Sequence, residues 1–114
     1  MAHRVDIHPG CDAELDELRR SDPHEHAAIL NADRKLRALG TALGYPHSSA
    51  VLGTEESPLR ELRPRRGRSR WRVLYVTEPA IVLLALAPES GADRRGFATA
   101  VRQASERLTR LSQD

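Results

Sequence analysis

The 114-residue chain has few aromatics, one cysteine and one lysine. Tyr45, Trp71, Tyr75 and Phe97 are its only aromatics, 4% of the chain. That is too few for an RNA-recognition sheet that stacks bases on several rings. Cys11 stands alone, so there is no internal disulfide and no zinc site built on cysteines, and a reducing cytoplasm suits the chain. The longest apolar run, Ala80 to Ala87, falls far short of the roughly 20 residues of a membrane span. Met1 to Ile7 is mixed polar and carries no apolar secretory core. The expectation is a cytoplasmic protein with no membrane contact. Five histidines, at positions 3, 8, 24, 26 and 47, show no metal-ligand spacing. His24 and His26 are two apart at the start of a predicted helix, where that spacing points them in different directions. No metal and no cofactor are expected.

What remains is an ordinary globular composition. Hydrophobic residues make up 39% and charged residues 30%. A single domain over residues 1–114 can bury about 65% of its unfolded surface without a metal or a crosslink. The net charge of +2 conceals an uneven distribution. Residues 59–75 carry seven arginines against the single acid Glu61, whereas acids outnumber or balance bases everywhere else. Seventeen of the eighteen basic residues are arginine, Lys35 being the exception. Codon bias in a GC-rich genome would raise the arginine count but would spread it along the chain. The clustering points to a nucleic-acid or acidic partner.

Arg4 to His8 alternates polar and apolar, and Pro9-Gly10 ends it, which reads as a short edge strand. Asp12 to Arg20 reads as a helix with Leu15 and Leu18 on one face. Asp22 can cap a second helix, with Pro23 at its first position. Ile29, Ala32, Leu36, Leu39 and Leu43 then form an apolar stripe that predicts a helix from Pro23 to about Leu43, stopped by Gly44 and Pro46. Residues 44–58 read as a loop. Leu59–Arg63 is a predicted strand and Pro64–Ser69 a turn. Arg70–Thr77 is a strand with Trp71, Val73 and Tyr75 on one face and Arg72, Leu74 and Val76 on the other. Ala80–Ala87 suits a strand buried on both sides. Asp93 can cap a last helix with the stripe Phe97, Val101, Ala104, Leu108 and Leu111. The order is β-α-α-β-β-β-α. This is an α+β fold: a small antiparallel sheet, a helical hairpin packed on one face and a C-terminal helix.

That order, with Leu59-Arg60-Glu61-Leu62-Arg63, a basic turn, Arg70-Trp71-Arg72-Val73-Leu74-Tyr75 and the apolar strand Ile81 to Ala87, resembles the RelE/ParE superfamily of bacterial toxins, nearest its HigB-like, phage-derived branch. The resemblance implies the toxin of a type II toxin–antitoxin pair, an endoribonuclease that cleaves mRNA, often on the ribosome. In such an enzyme the ribose 2′-OH attacks the adjacent phosphate. A base takes the proton, cations stabilise the crowded phosphorane and an acid protonates the leaving 5′-oxygen. It also implies an antitoxin partner, expected as a helix-turn-helix protein from a neighbouring gene, covering the Arg60–Arg72 surface.

Carried over by position, Arg72 is the first candidate for phosphorane stabilisation, because a planar guanidinium holds two phosphate oxygens at once. Arg68 and Arg70 could share that role, and Tyr75 is a candidate acid, base or stacking platform. Arg63, Arg65 and Arg66 are candidates to hold the RNA backbone. The family's basic segment after the last strand is missing, since Ala87-Pro88-Glu89-Ser90 stands there, and Arg94 and Arg95 are its nearest substitutes. Against these roles stand plainer ones: Arg72 paired with Glu61 across the hairpin, Trp71 and Tyr75 as core, and His47 as a lone loop histidine. Two other functions fit the same residues. One is a non-catalytic basic module that binds RNA or a protein partner. The other is a topoisomerase inhibitor like ParE.

Overall fold

The computed structural model describes residues 2–113. Five strands and three helices run in the order β1 (Val5–Ile7), α1 (Pro9–Ser21), α2 (Pro23–Leu39), β2 (Ser48–Ala50), β3 (Arg60–Leu62), β4 (Trp71–Val76), β5 (Ile81–Pro88) and α3 (Arg94–Gln113). The sheet order is β1-β5-β4-β3-β2, with β1 parallel to β5 and every other pair antiparallel. The α+β class, the hairpin on one face and the antiparallel meander agree with the sequence pattern.

The two faces of β4 sort the core. Val73 and Tyr75 pack with Leu15, Leu18, Ile29, Ala32 and Leu36 of the α1–α2 hairpin. Leu74 and Val76 pack with Ala100 and Ala104 of α3 on the other side. The helices therefore sandwich the sheet, which explains why β4 and β5 are apolar on both faces. A bulge at Leu84 in β5, between the pairs Leu74–Ala85 and Tyr75–Leu83, puts Leu83 in one core and both Leu84 and Ala85 in the other.

Capping matches the sequence signals. The Asp22 carboxylate accepts from the Glu25 amide at 3.3 Å, and that of Asp93 from the Gly96 amide at 2.9 Å. His8 caps α1, its Nδ1 accepting from the Gly10 amide at 2.9 Å. Because β1 reaches only as far as Leu83, β5 has an open edge beyond it. Glu14 and Arg107 close that edge. The Leu86 amide donates to Glu14 Oε1 at 3.1 Å, Arg107 Nη1 donates to the Leu84 carbonyl at 2.7 Å, and Arg107 Nη2 pairs with Glu14 Oε2 at 2.9 Å.

Three details differ from the sequence reading. The sheet is mixed rather than wholly antiparallel, because β1 joins the meander at its edge parallel to β5. The second helix stops at Leu39, not Leu43, because Gly40 takes a positive φ of 56° and starts a 3-10 turn, Gly40–Ala42; Leu43 still reaches the core. Residues 44–58 are not all loop. Ser48–Ala50 pairs with Arg60–Leu62 and adds an edge strand, which three residues of Ser-Ser-Ala do not announce by pattern.

Candidate functional site

The basic turn between β3 and β4 is held in an unusual conformation. Arg65 and Arg66 are both left-handed, with φ of 55° and 58°, and Gly67 follows at 89°. Each non-glycine residue in that region costs about 1–2 kcal/mol, so something must hold it. That group is Arg72. Its side chain points to the α3 side of β4 and is only 3% exposed. Nη1 donates to the carbonyls of Ser69 at 2.7 Å and Trp71 at 2.9 Å, and Nη2 to that of Gly67 at 3.1 Å. Nε has no hydrogen bond and faces Glu61 Oε1 at 3.5 Å. Burial, then the nearby Arg63, pull its pKa below the usual arginine value, with Glu61 opposing. The guanidinium is thus committed beneath the turn.

Helix α2 clamps the same turn from outside. Ser69 Oγ donates to Glu25 Oε2 at 2.8 Å, Arg65 Nη1 lies 3.6 Å from Glu25 Oε1, and Arg70 Nη2 lies 3.7 Å from Asp22 Oδ2. Arg65, Arg66, Arg68 and Arg70 remain exposed. The 70% exposed Arg70 side chain is held only by that long ion pair.

Beside the turn lies a cleft of about 310 Å³. One wall is α2, through His24, Ala27, Ala28, Asn31, Ala32 and Lys35; His47, Arg63 and Arg65 form the other. The alanines keep it open. His47 immediately precedes β2, and its carbonyl accepts from the Arg63 amide at 2.8 Å, so the ladder between β2 and β3 fixes its backbone. Partial burial, then the charges of Lys35 and Arg66, hold the His47 imidazole below its ordinary pKa of 6.5. It is therefore neutral at pH 7 and can accept a proton. Arg63 donates to the Pro46 carbonyl at 3.1 Å and to Glu61 Oε1 at 3.0 Å, and lies over the Tyr45 ring at 5.1 Å.

The residues singled out in the sequence fall into separate places. Arg63 and Arg65 line the cleft, whereas Arg66, Arg68 and Arg70 are exposed on or just after the turn beside it and are not among its lining residues. Arg72 lies under the turn rather than on its surface. Tyr75 is on the other face of β4 from Arg72 and 1% exposed, its hydroxyl 2.5 Å from Ser48 Oγ, which also accepts from Arg60 Nε at 2.9 Å. Arg94 and Arg95 are exposed in the first turn of α3. The loop before them leaves the same end of the sheet as the basic turn, since the Glu89 amide donates to the Arg70 carbonyl at 2.7 Å. The second histidine, the lysine and the asparagine of the cleft were missed. Their signal was the second face of α2: His24, Ala28, Asn31 and Lys35 recur every three or four residues, as a helix face requires. Among the described residues no three His, Cys, Asp or Glu side chains are grouped to share a metal ion.

The family described as phage derived protein Gp49-like matches residues 16–87, more than half of the chain. The chain belongs to the Gp49-like family. That family is RelE-like and toxin-type. The matched stretch contains the cleft and the whole basic turn but not Arg94 or Arg95. No curated protein and no solved structure matches the chain.

Proposed function

We propose that this Gp49-like protein is the toxin of a toxin–antitoxin pair and an endoribonuclease of the HigB-like kind, acting on mRNA in the cytoplasm, in association with the ribosome. The observation that carries this reading is the exposed guanidinium surface of Arg65, Arg66, Arg68 and Arg70 beside a cleft, lined by Arg63 and Arg65, that also holds an imidazole. Such a surface attracts a polyanion, and arginines fork onto phosphate oxygens. The left-handed turn fixes the backbone from which Arg65 and Arg66 project, which favours the pre-organisation that stabilising developing charge requires. In this reading Arg65, Arg66 and Arg63 hold the RNA backbone, Arg68 and Arg70 stabilise the phosphorane, and Arg94 and Arg95 extend the cationic surface. Arg72 acts through the turn it positions, and Tyr75 through β2. In this reading guanidiniums, not a metal ion, stabilise the phosphorane. An acidic or amphipathic antitoxin segment would cover the same arginines.

One observation favours the second reading, a basic module of the same fold that binds without cleaving. The end of β5 brings Pro88 and Glu89, not cations, to the turn. Induced expression separates the two, with growth and mRNA integrity followed together. The endoribonuclease reading expects arrest with fragmented mRNA. Arrest with intact mRNA would overturn it and favour a binding module or a block of a topoisomerase.

A further inference from the structure

We propose that His47 is the general base of this site, taking the 2′-OH proton from a strand of RNA laid along the cleft wall of α2. The assignment rests on the endoribonuclease reading and adds the group that reading lacks.

Four observations support it. The cleft is bounded by a helix face on which small side chains, Ala27, Ala28 and Ala32, stand between polar ones, His24, Asn31 and Lys35. A wall of that kind gives a flat run against which a sugar–phosphate backbone can lie. His24 and Lys35 are eleven residues apart on α2, about 16 Å along the axis, a length that takes two to three nucleotides of extended strand. His47 has its main chain pinned by the Arg63 amide and by the donation of its own amide to the Gly44 carbonyl at 2.9 Å, so its ring is carried on a fixed backbone. The charged groups around it are Lys35 and His24 on α2, Arg63 at the end of β3 and Arg65 and Arg66 on the turn; the acids nearest them, Glu61 and Glu25, are occupied with Arg63 and Arg65. Partial burial first, then the charges of Lys35 and Arg66, favour the unprotonated imidazole, the form a base must have.

The step balances simply. The His47 nitrogen lone pair removes the 2′-OH proton as that oxygen bonds to phosphorus. The bond from phosphorus to the 5′-oxygen then breaks, leaving a 2′,3′-cyclic phosphate and an oxygen that must be protonated. His24 and Lys35 also line the cleft, and the base assignment does not depend on which group protonates that oxygen.

The test compares the parent protein with His47→Ala and His47→Gln, using single-turnover cleavage of an mRNA on programmed ribosomes, with and without added imidazole. Melting temperature and binding to a short single-stranded RNA are measured on the same samples. The expected result is a fall in cleavage of about 10²- to 10³-fold in both variants. Folding and RNA binding should stay near the parent's, and imidazole should recover part of the His47→Ala rate. The parent rate should fall in acid below about pH 6.5, and that limb should vanish in His47→Gln. Cleavage by both variants at the parent rate, or a loss that imidazole does not recover, would overturn the assignment while leaving the endoribonuclease reading in place. If the parent itself leaves the mRNA intact while binding RNA, the endoribonuclease reading fails, and the base assignment with it.

Discussion

Arg72 Nη2 donates to the Gly67 carbonyl oxygen at 3.1 Å, across the base of a turn whose preceding two residues are left-handed arginines. A guanidinium can serve three carbonyls in one plane, and an ammonium cannot reproduce that fork. Arg72→Ala should therefore destabilise the fold by about 3 kcal/mol, because buried carbonyls lose charged donors. That corresponds to a fall in melting temperature of about 10 °C or more for a domain of this size. Arg72→Lys should recover less than half of it. Glu61→Ala should cost less, about 1 kcal/mol, since Glu61 faces Arg72 only at 3.5 Å. Thermal denaturation of the three variants checks the order, and a parent-like melting temperature for Arg72→Ala would contradict the positioning role.

Arg65 and Arg66 stand on the exposed side of the same turn. If both touch phosphate, replacing the pair by alanine should make the slope of log affinity against log salt shallower by about one to two units for single-stranded RNA. Titrations of a labelled oligonucleotide at several salt concentrations measure the slope. An unchanged slope would mean that the turn is only solvated.

Tyr75 and Ser48 share a buried hydroxyl–hydroxyl contact. Tyr75→Phe should cost about 1 kcal/mol, because Arg60 still donates to Ser48 Oγ. The effect should read in stability and in loosening of the β2 edge strand rather than in the pH dependence of any RNA cleavage. A parent-like stability with altered pH dependence would restore Tyr75 as an acid or base.

His8 caps α1 with an unprotonated Nδ1, and burial, then Arg107, lower its pKa from 6.5. The folded state therefore binds this proton less readily than the unfolded chain. Its contribution to stability is fully present above about pH 6.5 and is lost as pH falls through the lowered native value. Urea denaturation from pH 7.5 to 5 should show that loss, and His8→Asn, which keeps a capping acceptor, should flatten it. An equal slope in both proteins would mean that other groups set the pH dependence.

The helical hairpin, the meander and the caps at Asp22 and Asp93 were legible because apolar periodicity and capping chemistry are local. The short β2 strand was not, because Ser48 to Ala50 pair only where Arg60 to Leu62 offer an edge. The charge cluster announced a cationic surface, yet alternation along β4 alone could not say that Arg72 turns inward under its own turn. That outcome depends on carbonyls at Gly67 and Ser69, exposed to it by the left-handed path of Arg65 and Arg66. The cleft required two distant segments, α2 and the approach to β2, to meet. Its histidines therefore look solitary in the sequence.

The central claim, cleavage of mRNA by attack of a ribose 2′-OH, is tested most directly by mapping RNA ends in cells after induced expression. Growth arrest should be accompanied by new 5′-hydroxyl ends within messages, with few such ends when Arg65 and Arg66 are both alanine. Arrest with intact messages, or fragments carrying 5′-phosphates, would contradict it.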